Sequence, residues 1–122
     1  MSTQEPPVVH MHLDVARALE MMSDEQEVRD ILQLAEESLR ENLPKVRHLV
    51  QAGRMAEAAE ILHVFKGMLP VFCADPLIEL VTTNERAAKT DAVLPDYPEV
   101  EGKLEQLLHE IQAYLGSAGL QK

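Results

Sequence analysis

A chain of 122 residues has room for one domain of ordinary size, which excludes a (β/α)₈ barrel or a complete ATP-dependent kinase. Hydrophobic residues make up 46%, enough to collapse unaided, while 21 acidic against 11 basic residues give a formal charge of -10 that repels nucleic acid and anionic lipid. No apolar run approaches the roughly 20 residues of a membrane-spanning helix. Cys73 is alone, so no intrachain disulfide forms; no charged-then-apolar leader opens the sequence, and a cytoplasmic location is expected.

Aromatic residues are only 3% and Ala, Leu, Glu and Gln dominate, so the predicted class is all-α. Residues 1–12, with Pro6-Pro7, read as an extended arm that touches the remainder through Val8 and Val9. A short helix fits Leu13 to Met22. Ser23-Asp24-Glu25-Gln26 has the form of a capping box that starts a long second helix, striped by Val28, Ile31, Leu32, Ala35, Leu39, Leu43, Val46 and Val50. Pro44 is expected to kink that helix and Gly53 to end it. The third helix is predicted from about Arg54 to Phe72, and the fourth after an Asp75 N-cap followed by Pro76. A connection covers Ala92 to Pro98. The last helix, striped by Val100, Leu104, Leu107, Ile111 and Tyr114, is expected to stop at Leu115 with Gly116 as its C′ residue. These elements predict an antiparallel up-and-down four-helix bundle over 13–116, with a short additional N-terminal helix and a tail at 117–122.

Around the third helix, Ile61, Leu62, Phe65, Met68, Leu69 and Phe72 fall within one arc, the side that must face the core. His63 lies opposite. Its neighbours on the outer side are Ala56, Ala59, Lys66, Gly67, Pro70 and Ala74, small or compact apart from Lys66, so the imidazole should stand above a low surface open to another protein. Lys66 and Gly67 follow at the i+3 and i+4 spacings that bring them beside His63. Lysine there places an ammonium near any anion on the ring, and glycine removes a side chain that would crowd it. A glycine inside an exposed helix costs about 1 kcal/mol relative to alanine, which access to the histidine would justify. A neutral imidazole is a competent nucleophile without a dedicated base. Glu60, three residues back, can hold the ring while Lys66 acts in the opposite electrostatic sense; spacing does not decide between them.

The run His63-Val64-Phe65-Lys66-Gly67 resembles the His-x-x-Lys-Gly signature of histidine-containing phosphotransfer (HPt) domains. Leu13-Asp14 before a short helix, a long helix interrupted by proline, the Ala52-Gly53 turn and an Ala-rich approach to the histidine extend the resemblance over roughly Leu13 to Leu115. The resemblance implies a phosphorelay carrier: His63 accepts a phosphoryl group through Nε2 from a receiver-domain aspartate and passes it to another, with Lys66 as charge support and Gly67 as clearance. Implied partners are receiver domains of response regulators or hybrid histidine kinases, served by a monomer, and Mg²⁺ belongs to the receiver's carboxylate pocket rather than to this chain. Met68, Leu69, Pro70 and Cys73 occupy positions where many members carry small residues and a glycine. Pro70 removes a hydrogen bond to the Lys66 carbonyl and is expected to bend the helix one turn past the histidine. No G-x-x-x-x-G-K-[ST] loop is present, so ATP is not expected as a direct substrate.

The remaining candidates carry weaker signals. His10 and His12 are two possible metal ligands without a third at fixed spacing. His48 and His109 read as solvent-facing or helix-packing residues, and Cys73 as a small packing residue without a basic cluster to ionise it. Val64 and Val71, with Ala59, Glu60 and Pro70, mark a possible partner contact; the two valines equally suit packing against the first helix. The alternative function is a non-catalytic helical module on the same scaffold that sequesters a signalling partner.

Overall fold

A computed structural model of the chain describes residues 11–90, 94 and 96–119. Among them, helices account for nearly all regular structure: α1 (Val15–Met22), α2 (Glu25–Gln51), α3 (Met55–Met68), a single 3-10 turn (Leu69–Val71), α4 (Asp75–Lys89) and α5 (Tyr97–Gly119). The arm residues Val8, Val9 and His10 lie outside the described residues.

Helices α2 to α5 form a closed ring in which α2 packs on α3 and α5, and α4 packs on the same two. Side-chain pairs fix the direction of α5 against α2. Arg47, late in α2, binds Glu105 early in α5 (3.0 Å), whereas the Tyr114 hydroxyl, late in α5, meets Glu25 at the start of α2 (3.1 Å), so the two run antiparallel. The apolar stripes meet inside the ring: Val28, Leu32, Leu39 and Val46 of α2, Leu62 and Phe65 of α3, Leu77 and Val81 of α4, and Val100, Leu104, Leu107 and Ile111 of α5 are all buried. Short α1 lies against α2 and the 3-10 turn.

Several boundaries move from where local spacing put them. Ser23 is not the cap of α2 but the left-handed C-cap of α1 (φ 63°); the cap is Asp24, whose side chain accepts from the Gln26 N–H. Helix α2 runs through Pro44 to Gln51, and Gly53 (φ 75°) supplies the left-handed turn after it. The third helix is shorter than expected: proline at position 70 cannot continue the ladder, and the chain tightens into the 3-10 turn after Met68. Asp75 is inside α4 instead of capping it, with Ala74 at the cap position. Helix α5 passes Gly116 and continues to Gly119.

Residues 11–14 are stitched down from two sides. Asp14 N–H donates to the Phe72 carbonyl (2.7 Å), and Ala74 N–H donates to the His12 carbonyl (2.8 Å). From the other side the fully buried Glu110 carboxylate of α5 accepts the backbone N–H groups of Met11 (2.8 Å), His12 (3.0 Å) and Leu13 (2.9 Å). Burial pushes the Glu110 pKa up, but hydrogen bonds from Gln106 and those three amides outweigh it and hold the group below its ordinary value. Cys73 is buried in the same seam, and desolvation pushes its thiol up to about 12, as suits an inert packing residue.

Candidate functional site

Ala-rich α3 turns its buried face, Met55, Ala58, Ala59, Leu62 and Phe65, inward. His63 follows Leu62 by 100° and its ring emerges with 64% of the side chain exposed. Two of the expected core positions, Ile61 and Met68, are only partly buried and pack at the margin of the core. Ala59 departs from its expected place. It is 4% exposed, part of the buried face of α3, and it offers a partner little surface. Val64 is 53% exposed beside the histidine, Glu60, Gly67 and Pro70 are exposed, and Val71 is partly buried against the core.

The ring is held from a different helix. Leu77, Val81 and Ala88 point α4 into the core, and Glu85 falls on the same side, its carboxylate 2% exposed. Oε2 of Glu85 lies 2.8 Å from Nδ1 of His63 and 2.9 Å from Nζ of Lys89, while Oε1 lies 3.2 Å from Nζ of Lys66. Burial alone would raise the Glu85 pKa, but the hydrogen bonds from Lys89, His63 and Lys66 prevail and lower it to about 2. Glu85 is therefore ionised at neutral pH and can only accept hydrogen bonds. Nδ1 of His63 must donate, and in the neutral ring the lone pair is left on Nε2. Glu60, weighed from sequence as the holder of the ring, instead lines the rim of a depression of about 390 Å³ together with Ala56, Ala59, His63 and Lys89.

Gly67 lies one turn beyond His63, and a Cβ built on it would meet nothing within 4 Å. No positive φ requires glycine there, and among the described residues nothing packs against the gap. Lys66 is half-exposed, its ammonium resting on Glu85. His63, Lys66 and Gly67 thus lie together with two groups that local spacing did not identify, Glu85 and Lys89. The available signal was an acidic residue in the apolar stripe of α4, four residues after Val81 and three before Ala88. Of the possible metal pair, His12 is half-buried and His10 lies outside the described residues. His48 and His109 are both exposed.

The arrangement offers one imidazole nitrogen to solvent, its opposite nitrogen fixed by a buried anion, with two ammonium groups within reach. Neither a curated protein nor a solved structure matches the chain. A family profile described as the Hpt domain matches residues 30–114, which contain His63 and its four neighbours. That match spans more than two-thirds of the sequence, and the chain belongs to the Hpt domain family, the phosphotransfer modules that meet receiver domains in two-component phosphorelays.

Proposed function

We propose that this protein carries a phosphoryl group between receiver-domain aspartates on Nε2 of His63. The observation that carries the proposal is the orientation of the ring: Nδ1 donates to buried Glu85 at 2.8 Å while the side chain remains 64% exposed. In the transfer step the Nε2 lone pair attacks phosphorus in line. The N–P bond forms, the bond from phosphorus to the aspartyl oxygen breaks, and the receiver carboxylate leaves with the electron pair. No proton has to move. The ring becomes a phosphoimidazolium that keeps its Nδ1 hydrogen, and Glu85 stabilises the positive charge appearing there. The same contact sets the tautomer before attack and supports the reverse transfer, because a ring that keeps its Nδ1 hydrogen leaves as neutral imidazole rather than as imidazolate.

Lys66 faces the charge that arrives with the phosphoryl group, and the gap at Gly67 admits the receiver's backbone. Catalysis on this side consists of positioning and charge compensation; Mg²⁺ and its carboxylates are supplied by the receiver. Val64, exposed next to His63, and Pro70, exposed in the 3-10 turn that follows α3, form the adjoining docking surface.

The test is incubation with a receiver domain charged by acetyl phosphate and Mg²⁺. Wild type should acquire an acid-labile, base-stable phosphoryl group, and His63→Gln should acquire none while retaining its thermal stability. Undiminished labelling of His63→Gln, or tight receiver binding by wild type with no label, would overturn the proposal; the latter outcome is that of a sequestering module.

A further inference from the structure

We propose that Lys89 is a second phosphoryl-binding cation, and that Glu85 is the resting berth from which the arriving phosphoryl group recruits it. This rests on His63 being the phosphoryl acceptor.

Lys89 is the last residue of α4 and shares a single oxygen, Oε2 of Glu85, with Nδ1 of His63. Lys66, from α3, takes the other oxygen, so the two lysines meet the carboxylate that holds the ring from different helices. Lys89 also lines the depression beside His63, and 57% of its side chain is exposed. Its ammonium can therefore change partner without breaking buried packing. Only the lysine end of this pair is in water, and Oε2 keeps His63 and Oε1 keeps Lys66 when Lys89 turns away, so a dianionic group nearby can draw the ammonium off without leaving Glu85 unpaired.

The formal charges point the same way. At rest the cluster holds two ammonium groups, one carboxylate and a neutral ring, an excess of one positive charge. After transfer it holds two ammonium groups and a phosphoimidazolium against one carboxylate and a dianionic phosphoryl group, and the sum closes to zero. Without Lys89 the phosphorylated cluster would carry an excess negative charge beside a buried carboxylate that stays ionised, and the two anions would repel each other. Hydrogen bonds from lysine to phosphate are among the strong charge-assisted kind, which gives Lys89 a reason to leave Oε2 once the phosphoryl group is present.

The experiment measures the equilibrium ratio of phospho-His63 to phospho-receiver, approached from both directions with one receiver domain, for wild type, Lys89→Gln and Lys89→Arg. That ratio compares the separated proteins, so a residue that only assists docking slows forward and reverse transfer together and leaves it unmoved. Lys89→Gln should lower the ratio by about threefold to tenfold, the size of one partly exposed charge-assisted contact, and Lys89→Arg should stay within about twofold of wild type. A ratio unchanged in Lys89→Gln, in a protein whose helical circular dichroism matches wild type, overturns the role of Lys89 and leaves the relay intact. A wild type that takes up no label, or a His63→Gln that does, overturns the relay itself. Should Lys89→Gln lose its fold, Lys89→Met read by the same ratio serves in its place.

Discussion

Among the described residues two glutamates are buried, Glu85 at 1% exposure and Glu110 at 0%, and their partners differ in kind. Glu110 accepts three backbone N–H groups from residues 11–13 and the side-chain amide of Gln106, donors whose positions are fixed by the chain or by its own helix. Glu85 accepts from one imidazole and two ammonium groups, all at the ends of side chains that reach solvent. Both carboxylates are held below their ordinary pKa. A buried anion with rigid partners fastens a segment; one with mobile, cationic partners keeps charge in readiness at the surface. Burial and ionisation are shared, so only the identity of the donors separates an anchor from a working group.

Removing the anchor should produce the largest effect. Glu110→Ala leaves three amides without their acceptor, that of Leu13 buried and those of Met11 and His12 partly so, and should cost about 3–5 kcal/mol of folding stability, read from denaturant unfolding. Hydrogen exchange at Met11, His12 and Leu13 should accelerate, while the transfer rate per folded molecule stays at the wild-type level. A matching fall in that rate would show that the two carboxylates are not separable.

Acid should act on Glu85 next. Its folded pKa of about 2 lies below the ordinary 4.5, so its stabilisation is fully present above pH 4.5 and drains as pH falls toward about 2. The loss amounts to at most about 3–4 kcal/mol at the conversion of about 1.4 kcal/mol per pH unit, and the exposure of Lys89 and His63 reduces it. Glu85→Gln should flatten the stability profile across this window. An equally steep profile in the variant would place the titration elsewhere, with Glu110 the first alternative.

Glu85→Gln should also slow phosphoryl transfer to His63 by about tenfold, equivalent to about 1.4 kcal/mol in the barrier, because the neutral amide no longer stabilises the phosphoimidazolium. Rapid-quench kinetics with a charged receiver measure this directly. A wild-type rate in Glu85→Gln would reduce Glu85 to a packing role and make the contrast with Glu110 one of geometry alone.

How much of this was legible beforehand depended on distance along the chain. His63, Lys66 and Gly67 lie within one turn of one helix, where the 3.6-residue period converts spacing into adjacency, and the apolar arc of Leu62, Phe65 and Leu69 assigns the opposite side to the histidine. Glu85 is 22 residues away on α4, and its contact with His63 depends on how two helices pack. Only its intrusion into the stripe of Leu77, Val81 and Ala88 hinted at it, as did Glu110 between Leu107 and Ile111. Ala59 was misplaced for a related reason: alanine is too small to reveal which side of a helix is buried, and helix packing decided it. Helix ends shifted where two residue types could serve, with Asp24 capping α2 and Ser23 taking the left-handed turn.

The smallest effect tests the gap beside the ring, and here stability and function should move in opposite directions. Gly67 has no positive φ and, among the described residues, no neighbour that a methyl group would strike, so nothing in their packing requires glycine. Gly67→Ala should stabilise the fold by about 0.5–1 kcal/mol through helix propensity alone. If the space belongs to an incoming receiver, the same methyl group should slow transfer, whereas the pKa of Glu85 and the protection of residues 11–13 remain as they were. Transfer at the wild-type rate in a stabilised Gly67→Ala would take Gly67 out of the contact surface. Slower transfer in that more stable protein would show a local preference surrendered to keep Nε2 of His63 within a partner's reach.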